Sequence, residues 1–269
     1  MDGRLAIIGA GRMGEALLAG LLRDGRLQPD QVVCTDVREE RCRELTERHG
    51  VEAHGDNGAA VAGADVVLLA VKPQMLAEVV ADLSPRVRAE QTVISIAAGI
   101  TTAALEALLP EGVAVVRVMP NTPALVEEGM SLLAGGRHAS AQAVGLAREL
   151  LSAVGEVVEL PEDQVDAATA ISGSGPAYVF LLAEAMVEAG VHLGLSRELS
   201  TTLVGQTLRG SATLVRDSGD HPAVLREAVT SPGGTTAAAL ARFEAAGLRA
   251  TVIEAATAAR DRARELGGG

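Results

Sequence analysis

The chain has 269 residues, of which 48% are hydrophobic, and this suits one large domain or two of ordinary size with a substantial core. A formal net charge of −12 and an aromatic content of 1% argue against nucleic acid as a partner, because nucleic-acid sites need basic surfaces and stacking rings. Glycines and charged residues interrupt each apolar run before the roughly 18 residues of a membrane span, and the N-terminus does not have the layout of a signal peptide. We therefore predict a soluble, cytoplasmic protein with no nucleic-acid or membrane partner.

The N-terminal sequence predicts a dinucleotide-binding loop. An apolar run at residues 5–8 leads into Gly-x-Gly-x-x-Gly at residues 9–14, and an apolar helical pattern follows. In such a strand–loop–helix unit the first glycine permits a tight turn, the second lets the backbone approach a pyrophosphate, and the third lets the helix pack close to the strand. The motif alone is a weak signal in a chain with 30 glycines, but its position between a strand and a helix strengthens it.

A second strand, residues 31–35, is predicted to end at Asp36, which follows Gly14 by 22 residues. An acidic side chain at about this distance accepts a hydrogen bond from the adenosine ribose 2′-hydroxyl and repels a 2′-phosphate. Arg38 and Arg41 come soon afterwards and could reverse that preference by pairing with the phosphate, or could simply lie on a solvated helix face. The choice between NADH and NADPH stays open at this point.

Strand and helix patterns alternate through the first 161 residues. Further strands are predicted at 51–53, 65–71, 92–96, 113–118, 132–134 and 156–160, and further helices at 39–49, 73–83, 101–109 and 139–153. Polar or glycine-bearing loops follow the strand ends, where ligands bind in an open parallel sheet. We predict an α/β fold over residues 1–161, a Rossmann-type doubly wound parallel sheet that binds a dinucleotide.

After residue 161 the strand pattern ends. Six helices are predicted, at 163–170, 176–193, 197–216, 222–229, 235–246 and 249–265, so residues 162–269 are expected to form an all-α domain. Its Ala, Val and Leu content, with small residues on several faces, favours a homodimer in which another subunit covers apolar surface. Two Gly/Pro-rich segments, 172–176 and 230–236, precede helices. The second offers free N–H groups and hydroxyls to a small carboxylate, although ordinary helix capping accounts for either segment equally well.

The residues that carry metal and redox chemistry show no useful pattern. Cys34 and Cys42 have neither metal-site nor redox-motif spacing, and the five histidines are scattered, so no metal site is predicted. Lys72 is the only lysine in the chain.

Six segments, in this order along the chain, match the motifs of one family: Ile8-Gly9-Ala10-Gly11-Arg12-Met13-Gly14, Ala70-Val71-Lys72-Pro73, Ala97-Ala98-Gly99, Met119-Pro120-Asn121-Thr122-Pro123, Ser172-Gly173-Ser174-Gly175-Pro176-Ala177-Tyr178 and Ser231-Pro232-Gly233-Gly234-Thr235-Thr236. Along essentially its whole length the chain resembles pyrroline-5-carboxylate reductase, the last enzyme of proline biosynthesis. The first segment is shared by many oxidoreductases, whereas the last two are specific to this family.

The resemblance implies an N-terminal Rossmann-type domain and a helical domain that interleaves with its mate in a homodimer, often assembled further into a decamer. It implies an oxidoreductase that transfers hydride from NADPH or NADH to the C=N carbon of 1-pyrroline-5-carboxylate and forms L-proline. Asp36 departs from the family, whose members often carry Ser, Thr or Asn at this position, so the resemblance does not decide between NADPH and NADH.

The resemblance also implies roles for individual residues. The cofactor would contact Ile8, Gly9, Ala10, Gly11, Arg12, Met13 and Gly14 at its pyrophosphate, Asp36 and Asn57 at its adenosine ribose, and Ala70, Val71, Lys72, Pro73, Ala97 and Ala98 on its nicotinamide side. The substrate carboxylate would be held by Ser231 and the backbone N–H groups of Gly234 and Thr235. The hydroxyl of Thr236 would lie beside the ring nitrogen as the catalytic group.

The chemistry of an imine agrees with the absence of a strong base. An imine carbon is already electrophilic, so the reaction needs orientation and one hydrogen-bond donor near nitrogen. A threonine hydroxyl is a weak acid, so we assign Thr236 to positioning, with the proton passing through it from water or already present on the substrate.

The sequence leaves three alternatives. The first is a 3-hydroxyacid dehydrogenase of the 6-phosphogluconate type. Such enzymes resemble one another in using a lysine of the helical half, whereas the only lysine here, Lys72, lies in the nucleotide-binding half, which argues against this alternative. A non-catalytic nucleotide-binding protein would not need Ser231 or the hydroxyls of Thr235 and Thr236, all of which are present. A reductase of another cyclic imine stays possible, because the pocket walls cannot be deduced from sequence.

Overall fold

The computed structural model describes residues 3–267, and the chain folds into two compact units. Of the described residues, the first unit comprises 3–174 together with 258–267, and the second comprises 175–257. Each unit is described by itself.

The first unit is built on one eight-stranded sheet. Its strands are β1 (Leu5–Ile8), β2 (Val32–Thr35), β3 (Glu52–His54), β4 (Val66–Leu69), β5 (Thr92–Ser95), β6 (Ala114–Met119), β7 (Gly129–Gly135) and β8 (Gly155–Glu159). Their order across the sheet is β3-β2-β1-β4-β5-β6-β7-β8, and neighbours run parallel except β6 and β7. The chain winds outward from β1 to β3 and then resumes on the other side at β4. The switch point between β1 and β4 is where open α/β sheets bind ligands.

Helices cover both faces of this sheet. They are α1 (Arg12–Arg23), α2 (Glu39–His49), α3 (Asn57–Ala62), α4 (Pro73–Leu83), α5 (Thr102–Glu106), α6 (Ala141–Leu151) and α7 (Glu162–Ser172). Alternate residues of β1 enter different cores: Leu5 and Ile7 pack in one buried cluster, and Ala6 and Ile8 pack in another. A sheet with a hydrophobic core on each face confirms the predicted doubly wound fold.

The structure refines several predicted elements. The helices predicted at 39–49 and from Pro73 to 83 have these bounds in the structure, and Thr101 caps α5 by accepting a hydrogen bond from the N–H of Ala104 at 3.1 Å. Helix α3 was not predicted, because its six residues are too short to show an apolar stripe. The reversal at β7, which makes the sheet mostly rather than wholly parallel, was also not predicted.

Helix α7 is held to the sheet by a buried charge. Arg117 of β6 is 4% exposed and donates to Asp166 Oδ1 at 2.8 Å, and its guanidinium lies 3.5 Å from Glu162 Oε1. The same carboxylate of Glu162 accepts hydrogen bonds from the backbone N–H and the hydroxyl of Thr102 at 2.7 and 2.5 Å. Helix α7 therefore belongs to the first unit, and the domain boundary after residue 161 stays a prediction.

The second unit contains helices only. They are α8 (Gly175–His192), α9 (Arg197–Asp217), α10 (Pro222–Ala228), α11 (Thr235–Ala245) and α12 (Leu248–Leu266), whose last residues are counted with the first unit. Many of its large apolar side chains are exposed, among them Phe180, Leu181, Leu203, Leu214 and Ile253. Exposed apolar surface of this extent marks a face that another molecule covers.

One helical stretch is long and apolar enough to pass a simple test for a membrane span. Residues Glu162–His192 contain an 18-residue window with a mean hydropathy of 1.3, and by length and composition alone this stretch could cross a membrane. As expected from sequence, glycines and charged residues, among them Gly175, Glu184 and Glu188, interrupt its apolar run, and one such helix is weak evidence of a membrane span. A helix that packs against a second subunit passes the same test.

Candidate active site

The glycine loop follows β1 and is held by hydrogen bonds to β2. The backbone N–H groups of Gly9 and Ala10 both donate to the carbonyl oxygen of Thr35, at 3.0 and 2.9 Å. Gly9 has φ +86°, and a Cβ there would lie 2.6 Å from Cγ1 of Val71. Only glycine fits this turn, both because of its conformation and because the chain after β4 lies directly against it.

The second and third glycines fit a bound pyrophosphate for different reasons. A Cβ on Gly11 would meet no atom within 4 Å, so the backbone there borders open space. A Cβ on Gly14 would lie 3.0 Å from the carbonyl oxygen of Gly9, which shows how closely α1 approaches the loop. No side chain caps α1, so the N–H groups of its first turn point out of the helix without an intrahelical partner. These donors and the helix dipole suit an anion.

Asp36 lies immediately after β2 and is held by Arg38. The Nε of Arg38 donates to Asp36 Oδ1 at 3.0 Å, its Nη2 donates to Oδ2 at 3.3 Å, and its backbone N–H donates to Oδ1 at 3.0 Å. Burial favours the neutral acid, but the hydrogen bonds and charge of Arg38 outweigh it and hold the pKa of Asp36 below its ordinary value. The structure therefore presents an ionised carboxylate at the position predicted for the adenosine ribose.

Arg41 does not lie on a solvated helix face, and its guanidinium is not free. Its Nε donates to the carbonyl oxygen of Ala10 at 3.0 Å, and its Nη2 and Nη1 donate to Glu15 and Glu44 at 2.6 and 3.0 Å. Of the two alternatives considered from sequence, a solvated helix face does not describe this arrangement, and pairing of Arg41 with a phosphate stays a prediction.

Glu15 is the centre of a small charge cluster behind the loop. Its Oε2 accepts from Arg41, and its Oε1 accepts from Arg48 at 2.6 Å and lies 3.2 Å from Nε2 of His49. Burial favours the neutral form of this carboxyl, but the three basic side chains around it lower its pKa to about 2. The charge cluster joins the first turn of α1 to α2.

The other residues predicted to contact the cofactor follow neighbouring strands. Asn57 begins α3 after β3, and Asp56 caps that helix by accepting from the N–H of Ala59 at 2.9 Å. Ala70 donates its N–H to the carbonyl oxygen of Ile8 at 2.8 Å. Val71 packs on the glycine loop, Lys72 and Pro73 begin α4, and Ala97 and Ala98 follow β5. Because β1 to β5 are parallel neighbours, these loops lie along one edge of the sheet.

The predicted substrate residues lie in the second unit, at the start of α11. Gly234 is the N-terminal cap of this helix, and its N–H donates to the carbonyl oxygen of Ser231 at 3.0 Å. A Cβ on Gly234 would collide with the hydroxyl of Ser231, so glycine keeps that hydroxyl and the helix start close together. Thr235 and Thr236 are the first two helical residues, and no side chain caps the helix. The segment therefore offers N–H groups and hydroxyls at a helix N-terminus.

Sequence reasoning missed one polar contact between two of the family segments. The side chain of Asn121, which is 8% exposed, donates to the carbonyl oxygen of Ser172 at 2.9 Å and accepts from the N–H of Met130 at 2.9 Å. Its partner Ser172 is 51 residues away in sequence, so no local pattern could have revealed the pair. The bond ties the end of α7 to the loop after β6.

Within residues 3–267, no group of three His, Cys, Asp or Glu side chains is arranged to hold a metal ion. Cys34 is buried in β2, and burial raises the pKa of its thiol to about 12.

A mostly parallel sheet, a glycine loop at its switch point and an acidic residue after β2 together define a Rossmann-type dinucleotide-binding protein. Comparison with known proteins narrows the class. A family model described as pyrroline-5-carboxylate reductase dimerisation matches residues 162–266, and one described as NADP oxidoreductase, coenzyme F420-dependent, matches residues 4–99.

Similarity to individual proteins extends over the whole chain. The pyrroline-5-carboxylate reductases of Pseudomonas aeruginosa and Corynebacterium melassecola are 46% and 44% identical to it, over 98% of this chain and 96% and 98% of theirs. The structure of the Coxiella burnetii enzyme superimposes with a TM-score of 0.93 at 37% identity, covering 99% of both chains. The Plasmodium falciparum enzyme, solved with NADP bound, gives a TM-score of 0.89 at 31% identity over 99% and 98% of the two chains. The chain belongs to the pyrroline-5-carboxylate reductase family.

Proposed function

We propose that this protein reduces the C=N bond of 1-pyrroline-5-carboxylate to give L-proline, the last step of proline biosynthesis, with NADPH or NADH as the hydride donor. The main support is the match to reductases of this family over the full length of the chain. The fold agrees with it, because the glycine loop borders open space at the switch point of the sheet. That loop fits a dinucleotide, and a relative with 31% identity was solved with NADP bound.

The residues along the edge of the sheet would hold the cofactor. Loop residues 8–14 would bind the pyrophosphate through the first-turn N–H groups of α1, and Asp36 and Asn57 would lie beside the adenosine ribose. Residues 70–73, with Ala97 and Ala98, would line the nicotinamide side. The bound cofactor supplies the hydride, and these residues bind and orient it.

The start of α11 would bind the substrate. Ser231 and the N–H groups of Gly234 and Thr235 suit a carboxylate, because the helix dipole favours an anion at a helix N-terminus. The N–H of Gly234 would exchange its bond to the carbonyl oxygen of Ser231 for one to the substrate. The hydroxyl of Thr236 would lie beside the ring nitrogen, which becomes more basic as the imine turns into an amine. Its role is to orient the substrate and to stabilise that change by one hydrogen bond.

Self-association follows from the dimerisation family model and from the apolar side chains that the second unit exposes. We further propose a homodimer through the helical unit, with a decamer as its larger assembly, and a cytoplasmic location. A second copy of the chain, rather than a lipid bilayer or nucleic acid, would cover the apolar stretch at residues 162–192.

A labelling experiment tests the reaction. With a nicotinamide cofactor deuterated at the transferable position, we expect deuterium at carbon 5 of proline, the former imine carbon. Turnover of a six-membered cyclic imine acid alone would indicate the alternative, a reductase of another cyclic imine. Cofactor binding without turnover of either imine would indicate a non-catalytic nucleotide-binding protein.

Replacing Thr236 tests its assigned role. We expect Thr236→Ala to lower kcat by at least as large a factor as it raises KM for the imine, because the lost hydrogen bond is stronger in the transition state than in the bound substrate. Thr236→Ser, which keeps the hydroxyl, is the control and should retain most activity. An unchanged kcat/KM in Thr236→Ala would remove this residue from the mechanism.

A further inference from the structure

We propose that Arg41 is a positioning residue for the dinucleotide-binding loop and that it does not bind a 2′-phosphate. This inference rests on the proposed function, in that the loop must bind NADPH or NADH. The inference is based on the hydrogen bonds of the Arg41 guanidinium, which extends from α2 and contacts both the loop and α1.

The hydrogen bonds of Ala10 show what Arg41 does for the loop. The N–H of this residue donates to the carbonyl oxygen of Thr35, and its own carbonyl oxygen accepts from Nε of Arg41, at 2.9 and 3.0 Å. Ala10 is thus held from β2 on one side and from α2 on the other, and its side chain is fully buried. Gly11, whose backbone borders open space, is the next residue. A constraint on the Ala10 carbonyl therefore fixes the peptide group that leads into the anion-binding turn.

The carboxylates around Arg41 keep it in this position. All three of its nitrogens donate, Nη2 to Glu15 and Nη1 to Glu44, so three of its five N–H groups are already bonded, and the two carboxylates beside the guanidinium would repel a phosphate. The side chains of Arg41 and Glu15 are 12% and 19% exposed, and partial burial strengthens charge-assisted bonds relative to those in water. Glu15 also donates its N–H to the carbonyl oxygen of Gly11, so the same residue that holds Arg41 is bonded to the loop.

Arg38, at the start of the same helix α2, differs from Arg41 in its exposure and its partner. Its side chain is 66% exposed and its guanidinium pairs with Asp36, at the position predicted for the ribose. Of the two arginines, Arg38 is therefore the one that can move towards a 2′-substituent without disturbing the loop. The sequence did not distinguish the roles of the two arginines. With the structure, Arg41 shapes the loop for either cofactor, and Arg38 with Asp36 faces the 2′-position of the adenosine ribose.

Calorimetric titration of the intact protein with NADH and with NADPH tests this separation. We expect Arg41→Met to weaken both cofactors by the same factor, about tenfold, as the loss of a charge-assisted hydrogen bond implies. At saturating cofactor kcat should be unchanged, since hydride transfer does not involve this residue. Arg48→Met is the matched control: Arg48 binds the same Glu15 from an exposed position, and its removal should change neither affinity by more than about twofold.

Arg41→Lys separates geometry from charge. A lysine keeps the positive charge but presents one ammonium group, which cannot reproduce the three-way fork of a guanidinium, so we expect a loss similar to that of Arg41→Met. Arg41→Lys also serves as the test variant if Arg41→Met does not fold. An affinity of Arg41→Lys for NADH and NADPH equal to that of the unaltered protein would overturn the proposal.

Two other results would also contradict it. A loss confined to NADPH in either variant would show that Arg41 binds the 2′-phosphate, and unchanged affinity for both cofactors would show that it does not shape the loop. Failure of the unaltered protein to bind NADH or NADPH is a different outcome, because it would contradict the proposed function itself.

Discussion

At the end of β2, the carboxylate of Asp36 stands where the adenosine ribose of a dinucleotide is expected. Arg38 satisfies this carboxylate with three hydrogen bonds and holds it ionised. An ionised carboxylate accepts from a ribose 2′-hydroxyl and repels a 2′-phosphate, whereas the exposed guanidinium beside it attracts the phosphate. We therefore propose that the choice between NADH and NADPH depends on the balance between Asp36 and Arg38.

That balance predicts the effect of Asp36→Ser. Removing the carboxylate ends its repulsion of the 2′-phosphate and releases Arg38, so we expect the ratio of kcat/KM for NADPH to that for NADH to rise about tenfold, equivalent to about 1.4 kcal/mol. Steady-state kinetics with each cofactor provides the measurement. Asp36→Asn, which removes the charge but keeps the size, should shift the ratio in the same direction. A ratio that does not move in either variant would mean that main-chain contacts set the preference.

At the scale of elements, the charge cluster of Glu15 with Arg41, Arg48 and His49 joins α1 and α2. The pKa of Glu15 lies at about 2 in the folded protein, below the ordinary value of 4.5. A carboxyl with a lowered pKa stabilises the fold fully above about pH 4.5, and this stabilisation is lost as the pH falls towards 2.

Glu15→Gln tests this linkage. At neutral pH we expect the variant to be less stable by about 1–2 kcal/mol, since the hydrogen bonds to charged partners are weakened and solvent screens part of the loss. Below about pH 4.5 the difference from the unaltered protein should shrink, because the carboxyl of Glu15 takes up a proton in the unfolded chain from this pH downwards, while in the folded protein it stays ionised until about pH 2. Urea unfolding of both proteins over this pH range measures the difference. A difference that stays constant down to acid pH would contradict the assignment.

The sequence predicts most elements because local signals mark them. Helix α4 begins at Pro73, which suits the first helical turn, and α2 ends at Gly50, whose φ of +71° suits a glycine cap. The strand at residues 132–134 was predicted, but the antiparallel direction of β7 was not, since strand direction depends on pairing partners and not on the strand's own residues. The bond from Arg117 to Asp166 was missed for a similar reason, because 49 residues separate the two.

The candidate site was only partly predictable. The glycines and Asp36 could be assigned because motif spacing reports backbone geometry. The partners of Arg41 could not be assigned, because Ala10 and Glu15 lie 31 and 26 residues away and meet it only when α2 packs beside the loop.

At the scale of the whole molecule, the two units have different surfaces. The first buries its apolar residues in two clusters on either side of the sheet, whereas the second leaves large side chains such as Phe180 and Leu181 more than 60% exposed. A unit with so little core of its own is stabilised by association, which agrees with the dimerisation family model for residues 162–266.

The dimer proposal predicts the effect of a charge on this surface. Phe180→Glu should shift the protein from dimer to monomer in sedimentation-velocity experiments, because an unpaired carboxylate would have to be buried at the interface. Leu108→Glu is the control, since Leu108 is exposed in the first unit and a charge there should leave the assembly unchanged. Retention of the dimer by Phe180→Glu would place the interface elsewhere.

The oxidation of NADPH and of NADH by purified protein, followed by absorbance in separate reactions, tests whether this chain reduces 1-pyrroline-5-carboxylate. We predict that oxidation depends on the imine, occurs with at least one cofactor and yields proline in equal amount. Protein that binds the cofactor in calorimetry but does not oxidise it when the imine is added would contradict the account.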